Sequence, residues 1–243
     1  MGKFVLKIIF ILILGALGGI IFQAFILPYL ATKPYFQQFG FIKILTEREV
    51  NVYPTETIII QENKALQEAV EKVDRVVVGV RAQSKLGKIL EGSGLILTNE
   101  GYIVTLGDIL PKGYDFSFFW EGEKLPFQIL KVDSKENLVL IKAEKASLPT
   151  VAFADFEKIK LGQRVFLVSV VFNKEGKTKK IVNEGIIQSF DEDLINTNIV
   201  EKNNIQGCPL FDIEGEVVGL ATVDEAGKIA AIPIKKIRQF TGF

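Results

Sequence analysis

Apolar and polar positions follow three different rhythms along the chain. From Ile8 to Leu27 the run IIFILILGALGGIIFQAFIL is apolar on every side, with Gln23 its one strongly polar interruption. That is roughly the 20 apolar residues an α-helix needs to cross a bilayer, and no amphipathic face marks it as a core helix. Between Leu30 and Gln61 the composition turns polar and aromatic. Pro54 in VNVYPTETIII forbids a helix and the isoleucines favour extended chain. NKALQEAVEKV then sets Leu66, Ala69, Val70 and Val73 on one helical face, with Asn63 as the N-cap.

From Arg75 onward the rhythm is that of strands: RVVVGVRA, SGLILT, GYIVTL, DFSFFW, FQILKV, NLVLIKA, RVFLVSV, IVNEGIIQSF, DLINTNIV, EVVGLATV and KIAAIPI. Turn signals separate several of them, at Asn99–Glu100–Gly101, Glu121–Gly122, Glu175–Gly176, Glu214–Gly215 and Ala226–Gly227. Many short strands with no helices between them predict an antiparallel barrel or sandwich. PIKKIRQF predicts one closing helix, with Pro233 near its first turn and Ile234, Ile237 and Phe240 turned inward. In DFSFFW, Phe116, Phe118 and Trp120 alternate with Asp115, Ser117 and Phe119, the pattern of a half-buried strand. A stacking platform for single-stranded nucleic acid would need a basic groove beside it, and the next strand offers only Lys124 and Lys131.

Charge and composition narrow the chemistry. Basic and acidic residues both number 29, so no general attraction to nucleic acid follows. A single cysteine, Cys208, rules out an internal disulfide and a Cys/His zinc site. The 243 residues contain no histidine, which removes the usual general base for activating a serine or cysteine and the commonest metal ligand. No cofactor and no metal are expected. Lys3 and Lys7 ahead of the apolar run suit an amino terminus kept in the cytoplasm, although Lys33 weakens the asymmetry, and YLATK is a poor cleavage site. The expected organisation is a signal anchor at 1–30, a stalk or arm at 31–61 and a β-domain at 62–243.

Four stretches carry a family likeness. EGSGLILTNEGYIVTLGDIL, LPFQILKVDSKENLVLIKAE, NNIQGCPLFDIEGEVVGLATV and KIAAIPIKKIRQF resemble, in order and spacing, the Deg/HtrA branch of the chymotrypsin-fold serine proteases. The resemblance runs from about Ala65 to Phe243. It implies an all-β fold of two six-stranded antiparallel barrels with a cleft between them and a closing C-terminal helix, here behind an N-terminal transmembrane helix. It also places the family's histidine at Asp108, its aspartate at Asn137 and its serine at Gln206. All three positions differ from the triad. A serine attacks because an imidazole takes its proton while a carboxylate orients that imidazole. An amide at Gln206 is a feeble nucleophile, Asp108 is a weak base for such work, and Asn137 supplies no charge. The three are expected to form a hydrogen-bonded network.

The surrounding loop departs from the family as well. Asn204, Ile205, Gln206 and Gly207 match the oxyanion loop, with Asn204 in place of a glycine and expected to tolerate positive φ. Cys208 replaces a second glycine and reads as a small packed residue, lacking any partner in sequence to activate it. The family's GNPFG turn is replaced by SVVFN, Ser169 to Asn173. Ser93 matches a structural position and Ser169 ends a strand, so neither is expected as a nucleophile. The family's C-terminal PDZ module is not expected, since the sequence ends ten residues after Pro233. The resemblance therefore implies a membrane-anchored pseudoprotease, outside the cytoplasmic membrane, that binds extended peptides or unfolded protein, scaffolds, or regulates an active relative, with homo- or hetero-trimers open through the aromatic stretch PYFQQFGF. Two alternatives stay open: a hydrolase with a non-standard centre, and a structural component of the envelope.

Overall fold

The computed structural model describes residues 2–26, 29–30 and 62–243. The stalk expected at 31–61, including Pro54 and PYFQQFGF, lies outside them. The chain divides into two compact units, 1–59 and 60–243.

In the first unit, helix α1 (Gly2–Ile21) continues as one π-helical turn over Phe22–Ile26. It starts earlier than the apolar run, so Lys3 and Lys7 lie within the helix rather than ahead of it. Lysine is a good helix former, and nothing in GKFVLK interrupts the winding. The stretch Phe4–Ile26 is long and apolar enough to cross a membrane, and none of it is buried against other residues.

The second unit opens with α2 (Glu62–Val73), which buries Ala69 and Val73 and packs Leu66 and Val70 beside them, the predicted face. Its start at Glu62 puts Asn63 in the first turn, not at the cap. Seven antiparallel strands follow: β1 (Val77–Ser84), β2 (Ile89–Ile96), β3 (Tyr102–Leu106), β4 (Tyr114–Trp120), β5 (Glu123–Leu125), β6 (Phe127–Asp133) and β7 (Leu138–Ala143). Their spatial order is β5-β4-β1-β2-β3-β7-β6. Six more, β8 (Arg164–Phe172), β9 (Thr178–Phe190), β10 (Ile195–Val200), β11 (Pro209–Asp212), β12 (Val217–Val223) and β13 (Lys228–Pro233), close into a barrel ordered β10-β13-β12-β11-β8-β9. The five predicted turns each link consecutive strands.

The second barrel is the six-stranded one expected; the first is a seven-stranded sheet whose ladder does not close. Its end strands, β5 and β6, are consecutive in the chain with only Pro126 between them. Proline has no N–H to donate, and one residue leaves no turn in which the chain can fold back on itself. Phe118 of β4 packs against Phe127 of β6 at 4.6 Å between ring centroids, a side-chain contact across the open seam.

Strand β8 shows why the two sheets hold together. Phe166, Val168 and Val170 point into the core shared with the first sheet, while Val165 and Leu167 point into the barrel with Ile187, Ile195 and Leu210. A strand buried on both faces reads as a continuous apolar run, as RVFLVSVVF does. Each such side chain contributes about 1.5–3 kcal/mol by leaving water. The closing helix α3 (Ile234–Thr241) buries Ile234, Ile237 and Phe240. On its outer face Lys236 reaches Glu136 at 2.8 Å and Asp193 at 2.6 Å, tying the β6–β7 turn to the β9–β10 turn.

Candidate functional site

The loop Glu201–Cys208 joins β10 to β11 and is fixed from both ends. Glu201 opens it: its carboxylate accepts from the Lys202 and Asn203 N–H groups at 2.8 and 3.0 Å, and from the Asn203 and Asn183 side-chain amides at 2.8 and 3.1 Å. The Asn203 backbone bond is the largest of the effects that hold this carboxyl below the usual range. Farther on, the Cys208 N–H donates to the Ile205 carbonyl at 3.1 Å, and the Gly207 N–H to that of Ala221 at 2.8 Å. Gly207 has φ +75°, and a Cβ there would stand 2.5 Å from the Ser93 carbonyl and 2.8 Å from Thr105 Oγ1. Only glycine meets both demands.

The Gly92–Ser93–Gly94 stretch of β2 is the bed in which this loop lies. The Ser93 N–H donates to the Gln206 carbonyl at 2.8 Å, and Thr105 Oγ1 donates to the Ser93 carbonyl at 2.6 Å. A Cβ on Gly92 would meet the Gln206 carbonyl at 2.5 Å, so the close approach requires a bare backbone. Thr105 was not legible as a site residue. Its only sequence signal is a hydroxyl at an inward position of an otherwise apolar strand, YIVTL.

Asp108 and Asn137 meet directly. The Asp108 N–H donates to Asn137 Oδ1 at 2.9 Å, and Asn137 Nδ2 donates to Asp108 Oδ2 at 2.8 Å. Asn137, at φ +55°, also takes the Gly107 N–H on its own carbonyl at 3.0 Å. Gln206 stands apart from this pair. Its side-chain Nε2 donates to the Val223 carbonyl at 3.0 Å, and its Oε1 accepts the Val223 N–H at 3.3 Å. The expected three-membered network is thus a pair plus a separate clamp. The cause is reach: the end of β12 offers a complementary donor and acceptor, which engage both ends of the amide. Asn204 also differs from expectation. Among the described non-glycine residues, positive φ occurs only at Glu121, Asn137 and Ser147, and Gly207 carries the left-handed turn of this loop. Asn204, Ile205 and Gln206 keep their backbone N–H groups without acceptors among the described residues.

A family model for the trypsin-like peptidase domain matches residues 92–220, more than half of the chain. The chain belongs to the trypsin-like peptidase family. Among curated relatives, the DegP-like periplasmic serine endoprotease of Rhizobium meliloti is 31% identical over 155 residues, 59% of this chain and 30% of that protein. The DegP-like protein of Halomonas elongata is 27% identical over 135 residues, 53% of this chain and 28% of its own. The match thus spans about a third or less of these relatives' length. A solved structure, the HtrA-type protease AlgW with tripeptide, superposes with a TM-score of 0.64 at 21% identity, covering 73% of this chain and 62% of that one. That likeness establishes the chymotrypsin-like fold.

Within the trypsin-like domain three nucleophilic side chains near the loop, Ser93, Ser169 and Cys208, are built into the core. Ser93 and Ser169 are both fully buried, their hydroxyls 2.9 Å apart, and Ser93 Oγ accepts the Val170 N–H at 2.9 Å. Ser169 lies inside β8 rather than at its end. The pair joins the first sheet to the barrel. Cys208 is fully buried, and burial pushes its thiol far above the ordinary range, which suits a packed residue. A cavity of about 430 Å³ opens beside the loop, lined by Glu201, Asn203, Gln206, Val223, Asp224 and Gly227 among others. A larger one of about 660 Å³ lies against Asp155, Lys158, Lys160, Asp212 and Glu214. There the Asp212 carboxylate accepts the N–H groups of Glu214 and Glu216 at 3.1 and 2.9 Å and so shapes the β11–β12 turn.

Proposed function

We propose that this chain is a non-cleaving, membrane-anchored relative of the HtrA proteases that binds extended peptides or unfolded protein. In this reading the apolar helix holds the trypsin-like domain outside the cytoplasmic membrane, with the amino terminus inside. The observation that carries it is Gln206, whose amide is committed to the Val223 main chain while Asp108 and Asn137 are closed on each other. Acyl transfer by the serine route needs a hydroxyl beside an imidazole oriented by a carboxylate. This sequence has no histidine, and Ser93, Ser169 and Cys208 are sealed in the core. The binding half rests on what the loop retains: N–H groups at Asn204 and Gln206 without acceptors among the described residues, and an adjoining cavity of about 430 Å³. Extended peptides are held by main-chain hydrogen bonds along strand edges, which requires no catalytic residue.

Purified full-length chain in mild detergent, incubated with quenched fluorescent casein and with a fluorophosphonate probe, should show neither turnover nor labelling. It should raise the anisotropy of fluorescein-labelled, reduced and carboxymethylated α-lactalbumin, a permanently unfolded protein. Turnover abolished by changing one named serine or the cysteine would overturn the reading.

A further inference from the structure

The Gln206 clamp does more than fill space. Along one edge of β12 the ladder with the preceding loop runs through Ala221, whose carbonyl accepts the Gly207 N–H at 2.8 Å and whose N–H donates to the Cys208 carbonyl at 2.7 Å. Side-by-side main-chain groups repeat on one edge every second residue, so the next pair on this edge belongs to Val223. The loop's backbone has left the strand by then. In its place the Gln206 side chain takes both Val223 groups, at 3.0 and 3.3 Å. A primary amide presents a donor and an acceptor side by side, as a neighbouring strand does. We infer that Gln206 is an intramolecular stand-in for a peptide main chain, masking at Val223 a two-point subsite for an extended peptide.

Two comparisons within the molecule separate this from routine edge repair. Asn183 and Asn198 also satisfy strand groups, Asn183 Nδ2 donating to the Val200 carbonyl at 3.2 Å and Asn198 Oδ1 accepting the Ile186 N–H at 2.7 Å. Asn198 makes one such bond, and Asn183 adds only the N–H of its own neighbour Glu184, at 2.9 Å, so neither takes both groups of one residue; both lie within the irregular β9–β10 ladder of the barrel wall. Gln206 makes both bonds at one residue, and that residue and Gln206 together line the 430 Å³ cavity. The masked edge therefore adjoins open space of a size that takes a peptide side chain. A peptide that pairs with Val223 must first displace an equivalent pair of bonds. This subsite then adds almost nothing to affinity while the glutamine is present, and removing the amide returns it.

The inference rests on the peptide-binding reading above, and one titration tests the two separately. Full-length wild type, Gln206→Ala and Gln206→Met are titrated against fluorescein-labelled, reduced and carboxymethylated α-lactalbumin by anisotropy. Each protein's fold is checked by the emission of its single tryptophan, Trp120. The methionine variant keeps the length of the side chain and removes its hydrogen bonds, so it separates unmasking from added space and guards against collapse of the alanine variant. Both variants should bind on the order of tenfold tighter than wild type, the worth of one to two net hydrogen bonds. Wild-type binding with equal or weaker binding by both variants would refute the masking and leave the reading intact. Tightening in the alanine variant alone would assign the effect to space and refute it too. No binding by any of the three would remove both.

Discussion

Ser93 is the most informative residue to change, because a nucleophile and a structural link respond in opposite ways. Replacing it with alanine removes the hydroxyl that accepts the Val170 N–H at 2.9 Å and pairs with Ser169 at 2.9 Å, all within fully or nearly fully buried surroundings. Two buried polar groups are stranded, each costing about 1–3 kcal/mol, so Ser93→Ala should lower stability by about 2–4 kcal/mol. Ser169→Ala strands less. The Ser93 hydroxyl still accepts from Val170 and can turn its proton to the Val170 carbonyl at 3.4 Å, and the cost should be about 1 kcal/mol. In the double variant the Ser169 hydroxyl is gone, leaving the Val170 N–H as the main orphan, so the two losses should sum to about 1–2 kcal/mol more than the pair together. Urea unfolding of the full chain in mild detergent, followed through Trp120, measures all three. A Ser93→Ala loss under about 0.5 kcal/mol, or strict additivity, would refute the link between the sheets and reopen Ser93 as a chemical residue.

Three further outcomes are expected. Cys208, buried and with its thiol driven upward by desolvation, should resist iodoacetamide at about pH 8 in the native protein and react once guanidinium unfolds it, followed by mass spectrometry. Lys236→Met should cost about 1 kcal/mol or less. Its hydrogen bonds to Asp193 and then Glu136 raise the folded pKa above lysine's ordinary 10.5, so the contribution is full below that value and lost as pH rises through the higher folded one; unfolding midpoints of variant and wild type should converge in strongly alkaline buffer. At Asp108 and Asn137 the donor is Asn137, and a histidine–aspartate pair would reverse that direction. Asp108→His and Asn137→Asp should therefore each destabilise by about 1–2 kcal/mol, and the double exchange should recover most of the loss in the same urea assay.

What was legible in the sequence was what depends on near neighbours. Period-two alternation in DFSFFW put Phe116, Phe118 and Trp120 toward the core, and helical spacing gave the buried faces of α2 and α3. The open seam of the first sheet was not legible, because ladder closure depends on strands meeting across the sheet and on Pro126 leaving no turn there. At the site, resemblance singled out residues 108, 137 and 206. It also paired Asn137 with Asp108, 29 residues away, as the structure does. The other partners were hidden for a common reason: Gln206 finds Val223 17 residues away and Ser93 finds Ser169 76 away, distances over which no spacing rule operates. The misreading of Asn204 has a local cause: asparagine tolerates positive φ, but Gly207 was available three residues later and takes it at less cost.

The bonds that place the loop and those that decide its chemistry use different atoms. The backbone around residue 206 is held by the Ser93 N–H on the Gln206 carbonyl, the Gly207 N–H on Ala221, and the close approach that Gly92 and Gly207 permit. None of these involves a side chain at 206. The loop therefore keeps its shape whatever that side chain is, and the side chain is left to act on the cavity and on the free edge of β12. Losing a nucleophile there costs the fold nothing, whereas losing Gly92 or Gly207 would drive a Cβ to within 2.5 Å of a carbonyl oxygen. This division explains how a chain with no histidine retains the architecture of a peptidase. It also leaves one amide at the open end of β12, where Gln206 takes the two main-chain groups of Val223.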